Sequence, residues 1–419
     1  MPQASSGLAD NLRAHRRAAG LNQEQLADRA RLSTSVIRKL EQGGAARVET
    51  LHQIAAALEI PTSALFAADT PTPVVGDESN RQMLAPLRKA LMPPVGISDY
   101  ITDPGDAGNE IFDPSAIMRR VEDGLALHAA DRYDSVARIL PPLLTDAEAA
   151  VAAAESDEAR TEAVTVRSRA LLLSGKFLTQ VRQYDMAYHS LSEGIRLARE
   201  VGNRGGATAG VIGMCWLLLR QDRFDEAERL ASVTADEVEP RMSSATPGEL
   251  AAWGELALRI ASAAIRNNRP DEAQEGRRMA ATAAGALGQE YQDNVTHWAR
   301  FGPATIELKS VEDLALADDS RGVLRRADDG VLSSKSMRRT GKPTATNWNR
   351  HRLDVAQAYV RVGSTQDALD ELLGIRRRSP HWITHQPMAR YVMTDLLKTR
   401  KRTLTKDMRD MAAHLAVQA

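Results

Sequence analysis

The residues best placed to do chemistry lie in one run, LNQEQLADRARLSTSVIRKLEQG, residues 21–43. Asn22 with Gln25 three positions later is a capping-box pattern, which predicts a helix starting at Gln23, with Glu24 where the helix dipole favours negative charge. Leu26, Ala27 and Ala30 share one face of that helix. Ser33 is a second N-cap candidate, and Val36, Ile37 and Leu40 give the next helix an apolar stripe before Gly43 and Gly44 end it. The opposite face of that helix is polar. Such a face offers hydrogen bonding and charge, not bond making.

Elsewhere the reactive residue types form no constellation. The nine His are scattered, and no Gly-rich phosphate loop, metal-spaced His/Asp/Glu set or nucleophile–base pattern occurs, so the expectation is a non-enzyme without cofactor, metal or catalytic residue. Cys215 is the only cysteine, which excludes an intramolecular disulfide and a Cys-rich zinc site, and its setting in VIGMCWLLL predicts a buried core residue. The net charge is only −1, so any contact with a polyanion must come from a local patch. The opening MPQASSGLAD lacks a signal-peptide pattern and no apolar run is long enough to span a bilayer, so the chain is expected in the cytoplasm, away from membranes.

At 419 residues the chain exceeds the usual size of a single core, which implies two domains or one domain with an extended array. Abundant Ala and an aromatic content of 4% favour helix over sheet. Around the opening run, LADNLRAHRRAAG predicts a first helix with Leu8 and Leu12 inward and Gly20 as its stop. RVETLHQIAAALEI predicts a fourth with Val48, Leu51, Ile54, Ala55 and Leu58 inward, and PTSALF a short fifth opened by Pro61. Five helices in about 60 residues make a small bundle.

Residues 8–66, carrying GLNQEQLADRA, LS.S.I.KLEQG, HRRAAG and ETLHQIAAALEIP, resemble the helix-turn-helix domain of the phage-repressor family, of the lambda-repressor, Cro and xenobiotic-response-element (XRE) type. The resemblance implies that the third helix enters the major groove of double-stranded DNA, with Thr34, Ser35 and Lys39 reading base edges. It implies that Asn22 and Gln23 clamp a phosphate, and Arg38, Arg47 and Arg13 supply further backbone contacts. Arg16 is instead expected in a buried pair with Glu41, and Arg31 occupies a position where the family generally has a left-handed Gly.

After Phe66, AADTPTPVVGDESN reads as a linker, followed by a short helix RQMLAPLRKAL and another irregular stretch rich in Pro and Gly. The expected division is therefore a DNA-binding domain over 1–68, a linker with a short helix over 69–113, and a helical-repeat domain over 114–419. Five segments of that last part, DRYDSVARIL, RQYDMAYHSL, DRFDEAERLA, NRPDEAQEGR and GSTQDALDEL, share a turn, an acidic helix start and a small residue: Ala137, Ala187, Ala227, Ala273 or Ala368. ADDSRGVLRR with Gly322 is a weaker sixth, and the steps of about 40 to 50 residues fit one helical hairpin each. Asp185, Asp225 and Asp271 are expected to cap the second helices. The text resembles lengthened tetratricopeptide (TPR) repeats, which implies an all-α chain in which a TPR-like α-solenoid follows a five-helix bundle.

That pairing of domains is similar to a large class of bacterial regulators common in actinomycetes. The resemblance implies a nucleoid-associated transcriptional regulator whose repeat domain senses a peptide, small-molecule or protein effector, and a homodimer on an inverted-repeat operator is expected because one small head makes limited contact and two gain affinity by effective concentration. The alternative is a TPR-type interaction scaffold acting through a protein partner, with DNA binding secondary. Candidate groove residues are Arg167, Arg169, Trp253, Asn294, His297, Arg300, Trp348, Asn349 and His351, polar, basic or aromatic groups able to take a carboxylate or peptide backbone. Core packing is the competing role for the tryptophans.

Overall fold

A computed structural model describes residues 5–19, 21–42, 46, 48–58, 60, 65, 77–94, 113–267, 269–292, 300–399 and 404–417. The chain divides into two compact units, Met1–Thr72 and Pro73–Ala419. The described residues of both are mostly helical.

Unit 1 holds α1 (Ser5–Ala18), α2 (Gln23–Ala30), α3 (Thr34–Glu41) and α4 (Val48–Ala57). Leu12, Leu26, Ile37, Leu40, Ile54 and Leu65 form its core. Leu65 is the only residue of the expected fifth helix that is described.

Unit 2 opens with α5 (Asp77–Leu91), and six hairpins follow. They pair α6 (Pro114–Ala129) with α7 (Tyr133–Ala152), α8 (Asp157–Gln180) with α9 (Tyr184–Glu200), and α10 (Arg204–Arg220) with α11 (Phe224–Glu237). Next come α12 (Pro247–Arg266) with α13 (Pro270–Leu287), and α14 (Pro303–Leu316) with the short α15 (Ser320–Arg326). After α16 (Ser334–Thr340), α17 (Ala345–Arg361) pairs with α18 (Thr365–Arg378), and α19 (Pro380–Thr384), α20 (Pro387–Thr399) and α21 (Lys406–His414) end the unit.

One hydrogen bond defines the repeat. In every hairpin turn the N–H of the residue before the second helix bonds the carbonyl five positions back: Arg132 to Leu127, Gln183 to Leu178, Arg223 to Leu218, Arg269 to Ala264, Asp319 to Leu314 and Ser364 to Tyr359, at 2.9–3.0 Å. This is the closure of a Schellman turn, and it requires a left-handed residue just before it. Asp131, Arg182, Asp222, Asp318 and Gly363 take that role. Counting four on from the bonded N–H gives the residue buried between the two helices, which is Ala187, Ala227, Ala273 and Ala368 but Val136 and Val323 in the first and fifth hairpins. Ala137 and Gly322 are therefore one residue out of register with the other four.

Two further expectations change. Asp185 and Asp225 stand inside the first turn of their helices, where the N-cap residues Gln183 and Arg223 make no side-chain cap; the same holds for Asp271 behind Arg269. Their contribution is charge beside the helix dipole rather than capping. The helix placed in the linker belongs to unit 2, because Leu84, Leu87 and Leu91 of α5 are buried in its main core and the His189 ring bonds the Leu91 carbonyl at 3.1 Å. Between α13 and α14 a two-residue antiparallel ladder, β1 (Tyr291–Gln292) against β2 (Arg300–Phe301), interrupts the helices and drives the Phe301 ring into the core.

The hairpin array closes on itself. One continuous core contains residues of α5 to α11 together with residues of α17 to α21. Asn349 Nδ2 of α17 donates to Ser379 Oγ at 2.9 Å, Ser379 donates to Asp131 in the first hairpin turn, and the Tyr133 hydroxyl donates to the same carboxylate at 3.2 Å. Tyr133 also meets the His385 ring at 6.0 Å between centroids. The last hairpin is thus tied to the first by a buried polar chain.

Candidate functional site

Unit 1 presents α3 through the local rules that build it. The Asn22 carboxamide accepts from Gln25 N–H at 2.8 Å while the Gln25 side chain accepts from Asn22 N–H at 2.8 Å, which completes the expected capping box. Arg31 takes the left-handed conformation, φ 55°, and Leu32 N–H closes onto the Ala27 carbonyl at 2.8 Å, so the turn keeps its form without Gly. Ser33 has the extended backbone of an N-cap but makes no side-chain cap; its hydroxyl lies 2.8 Å from that of Ser35.

The orientation of α3 is set by Glu41, which is 4% exposed. Arg16 Nε and Nη2 donate to its two oxygens at 2.6 and 3.1 Å, Gln23 Nε2 donates at 2.7 Å, and Arg13 donates to its backbone carbonyl. Burial by itself would raise the Glu41 carboxyl, but hydrogen bonds from Arg16 and Gln23 and the charges of Arg16 and Arg13 outweigh it and hold the group below its ordinary value. Arg16 is the structural partner of Glu41, as expected. Gln23 spends one of its two amide protons on the same carboxylate, and Arg13 is tied to the end of α3, so both act on the helix as well as facing outward.

With the buried side of α3 committed, Ser35, Arg38 and Lys39 are exposed and Thr34 is half-exposed. Steps of 100° per residue place Ser35, Arg38, Lys39 and Gln42 on one strip, and Gln42 is exposed as well. Gln42 was not among the expected contacts. Its only sequence signal is its spacing of three from Lys39 and four from Arg38. Arg47 lies outside the described residues.

Residues 12–65 match the Helix-turn-helix family. The match covers all the geometry just described, from Leu12 in α1 to Leu65. No curated protein matches the chain. The helix-turn-helix domain is a DNA-binding regulatory module, and double-stranded DNA is the partner it supports. Among the described residues no helix is long and apolar enough to cross a membrane, and no group of three or more His, Cys, Asp or Glu is placed to hold a metal ion.

Of the nine candidate groove residues of unit 2, the seven that are described do not converge. Arg167 pairs with Glu148, Arg169 is buried on α8, and Trp253 is buried among Cys215, Leu256 and Phe301. Arg300 Nε donates to Gln292 at 2.6 Å and its Nη1 to the Lys342 carbonyl at 3.0 Å. Trp348 packs over the α14–α15 core with the His351 ring 5.3 Å away, and the His351 ring bonds the Ala327 carbonyl at 2.8 Å. Asn349 belongs to the polar chain that closes the array. Asn294 and His297 lie outside the described residues.

A cavity of about 260 Å3 opens on the inner face instead, lined by Trp216 and Arg220 of α10, Arg266, Glu312, Arg350 and the turn residue Arg182. Sequence reasoning missed it. Trp216 and Arg220 are four apart and so share a helix face, which was the one available signal. On α17 the expected residues Asn349 and His351 flank the one that lines the cavity, Arg350.

Proposed function

We propose that the protein is a sequence-specific DNA-binding transcriptional regulator that works as a homodimer on an inverted-repeat operator, its repeat domain responding to an effector. The observation that carries this reading is the exposed strip of Ser35, Arg38, Lys39 and Gln42 on a helix whose other side is fastened by Ile37, Leu40 and Glu41. At 1.5 Å per residue, eight residues give a rod of about 12 Å, which fits a major groove about 12 Å wide. Short Thr34 and Ser35 offer single hydrogen bonds, Lys39 reaches guanine acceptors, and Arg38 and the capped start of α2 meet phosphates.

One head of this size makes few contacts, so two heads with centres about 10 bp apart, or a multiple of that, supply affinity through effective concentration. An effector that favours one arrangement of the repeat domain alters how often the two heads meet that spacing. The test is selection of duplexes from a randomised pool by the full-length protein, followed by salt titration on the selected site. Lys39→Ala is expected to cost about 1–3 kcal/mol and relax preference at one base position; Arg38→Ala weakens binding to all sequences and lowers the salt slope by about 1. Failure to prefer any duplex at low ionic strength overturns the reading.

A further inference from the structure

The cavity of unit 2 carries an excess of positive charge. Arg182, Arg220, Arg266 and Arg350 face two carboxylates, Asp222 and Glu312. Glu312 is already engaged, accepting from Arg266 Nη2 and from Lys309 Nζ, both at 2.5 Å. Arg220 hydrogen-bonds the Tyr184 side chain and Arg350 feels the charge of Glu312, but Nε and Nη2 of both guanidiniums are shielded from solvent and make no hydrogen bond within the protein.

What positions these two guanidiniums is an aromatic face. Arg350 Cζ lies 4.1 Å and Arg220 Cζ 5.5 Å from the centre of a Trp216 ring, with Arg259 at 5.4 Å. Arg259 is distinguished from the other two by its bond to Glu255 at 2.8 Å. A cation–π contact orients a guanidinium but leaves its in-plane N–H donors unmet. The two side chains also oppose each other electrically. Burial pushes Arg350 down to about 9, the charge of Arg220 adds to that, and Glu312 acts against it. Burial lowers Arg220 too, with Tyr184 acting the other way.

Two neighbouring cations with shielded, unmet donors cost stability unless an anion joins them. Departures of this kind from local rules concentrate at functional sites. We propose that the cavity binds a small organic anion bearing a carboxylate or phosphate group, which bridges Arg220 and Arg350 and accepts from their unpaired N–H donors. The fork geometry of guanidinium suits both acid groups.

The volume sets the size class. About 260 Å3 is just below the range of about 300–1,000 Å3 common to small-molecule pockets, too little for a folded partner or a long peptide. The bridge also has a mechanical consequence, because Arg220 ends the first helix of the third hairpin and Arg350 stands in the first helix of the last. An anion held by both favours the closed arrangement of the array. This assignment rests on the effector reading of the repeat domain and gives the effector a chemical class; binding itself requires no DNA.

The test uses full-length protein titrated at constant ionic strength with inorganic phosphate, glucose 6-phosphate and citrate, followed by calorimetry, tryptophan fluorescence and thermal unfolding. At least one probe is expected to bind saturably at one site per chain, raise the unfolding temperature and change the fluorescence as Arg350 shifts over Trp216. Preference for the phosphates or for citrate identifies the acid group. Arg220→Gln and Arg350→Gln each weaken that binding by about tenfold or more, while the unliganded unfolding temperature stays level or rises because a like-charge contact is gone. Arg350→Lys, which keeps the charge and loses the fork, falls between.

The proposal is overturned if none of the three probes binds, if both Gln variants bind as the parent does, or if either variant unfolds, since unfolding makes the guanidinium a structural group. Binding of an anion with no change in DNA affinity leaves the site standing and removes the effector reading. Loss of DNA binding with the anion site intact does the same from the other side.

Discussion

Arg16→Met is expected to loosen unit 1 by leaving the Glu41 carboxylate buried without its main partner. The pair is close, 2.6 Å, with the side chains 12% and 4% exposed. Removing one member of a buried ion pair costs about 3–5 kcal/mol. Gln23 still donates at 2.7 Å and the unit is small enough that water lies nearby, so the lower end, about 3 kcal/mol, applies here. A unit of this length holds roughly 3–9 kcal/mol in all, so the loss is a third of its stability or the whole of it.

Native-state hydrogen exchange on the full-length chain isolates the effect. Protection of amides in α2 and α3 should fall by about 100-fold, at 1.4 kcal/mol per decade, while amides in unit 2 keep theirs. Replacing both members, Arg16→Met with Glu41→Leu, should recover most of the loss, because a buried pair exchanged for apolar side chains is close to neutral. The pH dependence has a sign. Glu41 is held below its ordinary value in the folded chain, so its contribution is present above about pH 4.5 and lost as pH falls through the folded value, and the deficit of Arg16→Met shrinks in acid. A fivefold change or less, the size of a surface pair, refutes the argument, as does a double variant no better than the single one.

Three further outcomes follow from unit 2. Gly254→Ala would set a Cβ 2.1 Å from a ring atom of Phe301, so it should destabilise by about 1–3 kcal/mol in thermal unfolding and be relieved by Phe301→Leu; an unchanged melting temperature refutes the contact. Burial holds His128 down to about 3 and His351 and His385 to about 4, so below pH 6.5 the unfolded chain takes protons that the folded one does not. The unfolding free energy from urea titrations should therefore fall between pH 6.5 and 4, by about 1.4 kcal/mol per pH unit for each His and offset by one such slope from Asp354, and a flat profile contradicts this. Burial, aided by the charge of Glu312, pushes Asp354 up to about 8, so the folded chain keeps a proton that the unfolded chain has lost above pH 4 and stability drains as pH rises through that window. Asp354→Asn should gain over the parent steadily from pH 4 to 8 and hold a constant lead above it; equal urea midpoints at pH 8 would show that the carboxyl is not buried in this way.

The features legible in the sequence are those decided within a few residues. The Asn22–Gln25 capping box, the alternation of α2 and α3, the Arg16–Glu41 pair implied by family resemblance, and the period of the hairpins all appear in the fold. Apart from the Arg16–Glu41 pair, which spans 25 residues and rests on the resemblance, each depends on neighbours at spacings of three, four or five, or on a repeat that returns the same turn. The side of α3 that faces out was legible for the same reason, since Ile37 and Leu40 claim the inside and leave Ser35, Arg38 and Lys39 opposite.

Tertiary structure decided what those local rules leave open. Gln23 turns to Glu41, 18 residues away, because the packing of α1, α2 and α3 brings an acceptor to it. On α17 both Asn349 and His351 are claimed by neighbours on opposite sides and Arg350 lines the cavity, a choice that no periodicity states for a helix enclosed nearly all round. The closure that carries Ser379 to Asp131 and sets Arg182, Arg220 and Arg350 around one space joins elements more than a hundred residues apart. Small rotations between successive hairpins add up over the array to determine which residues meet across it, and that sum belongs to the packing of the whole unit rather than to any stretch of its sequence.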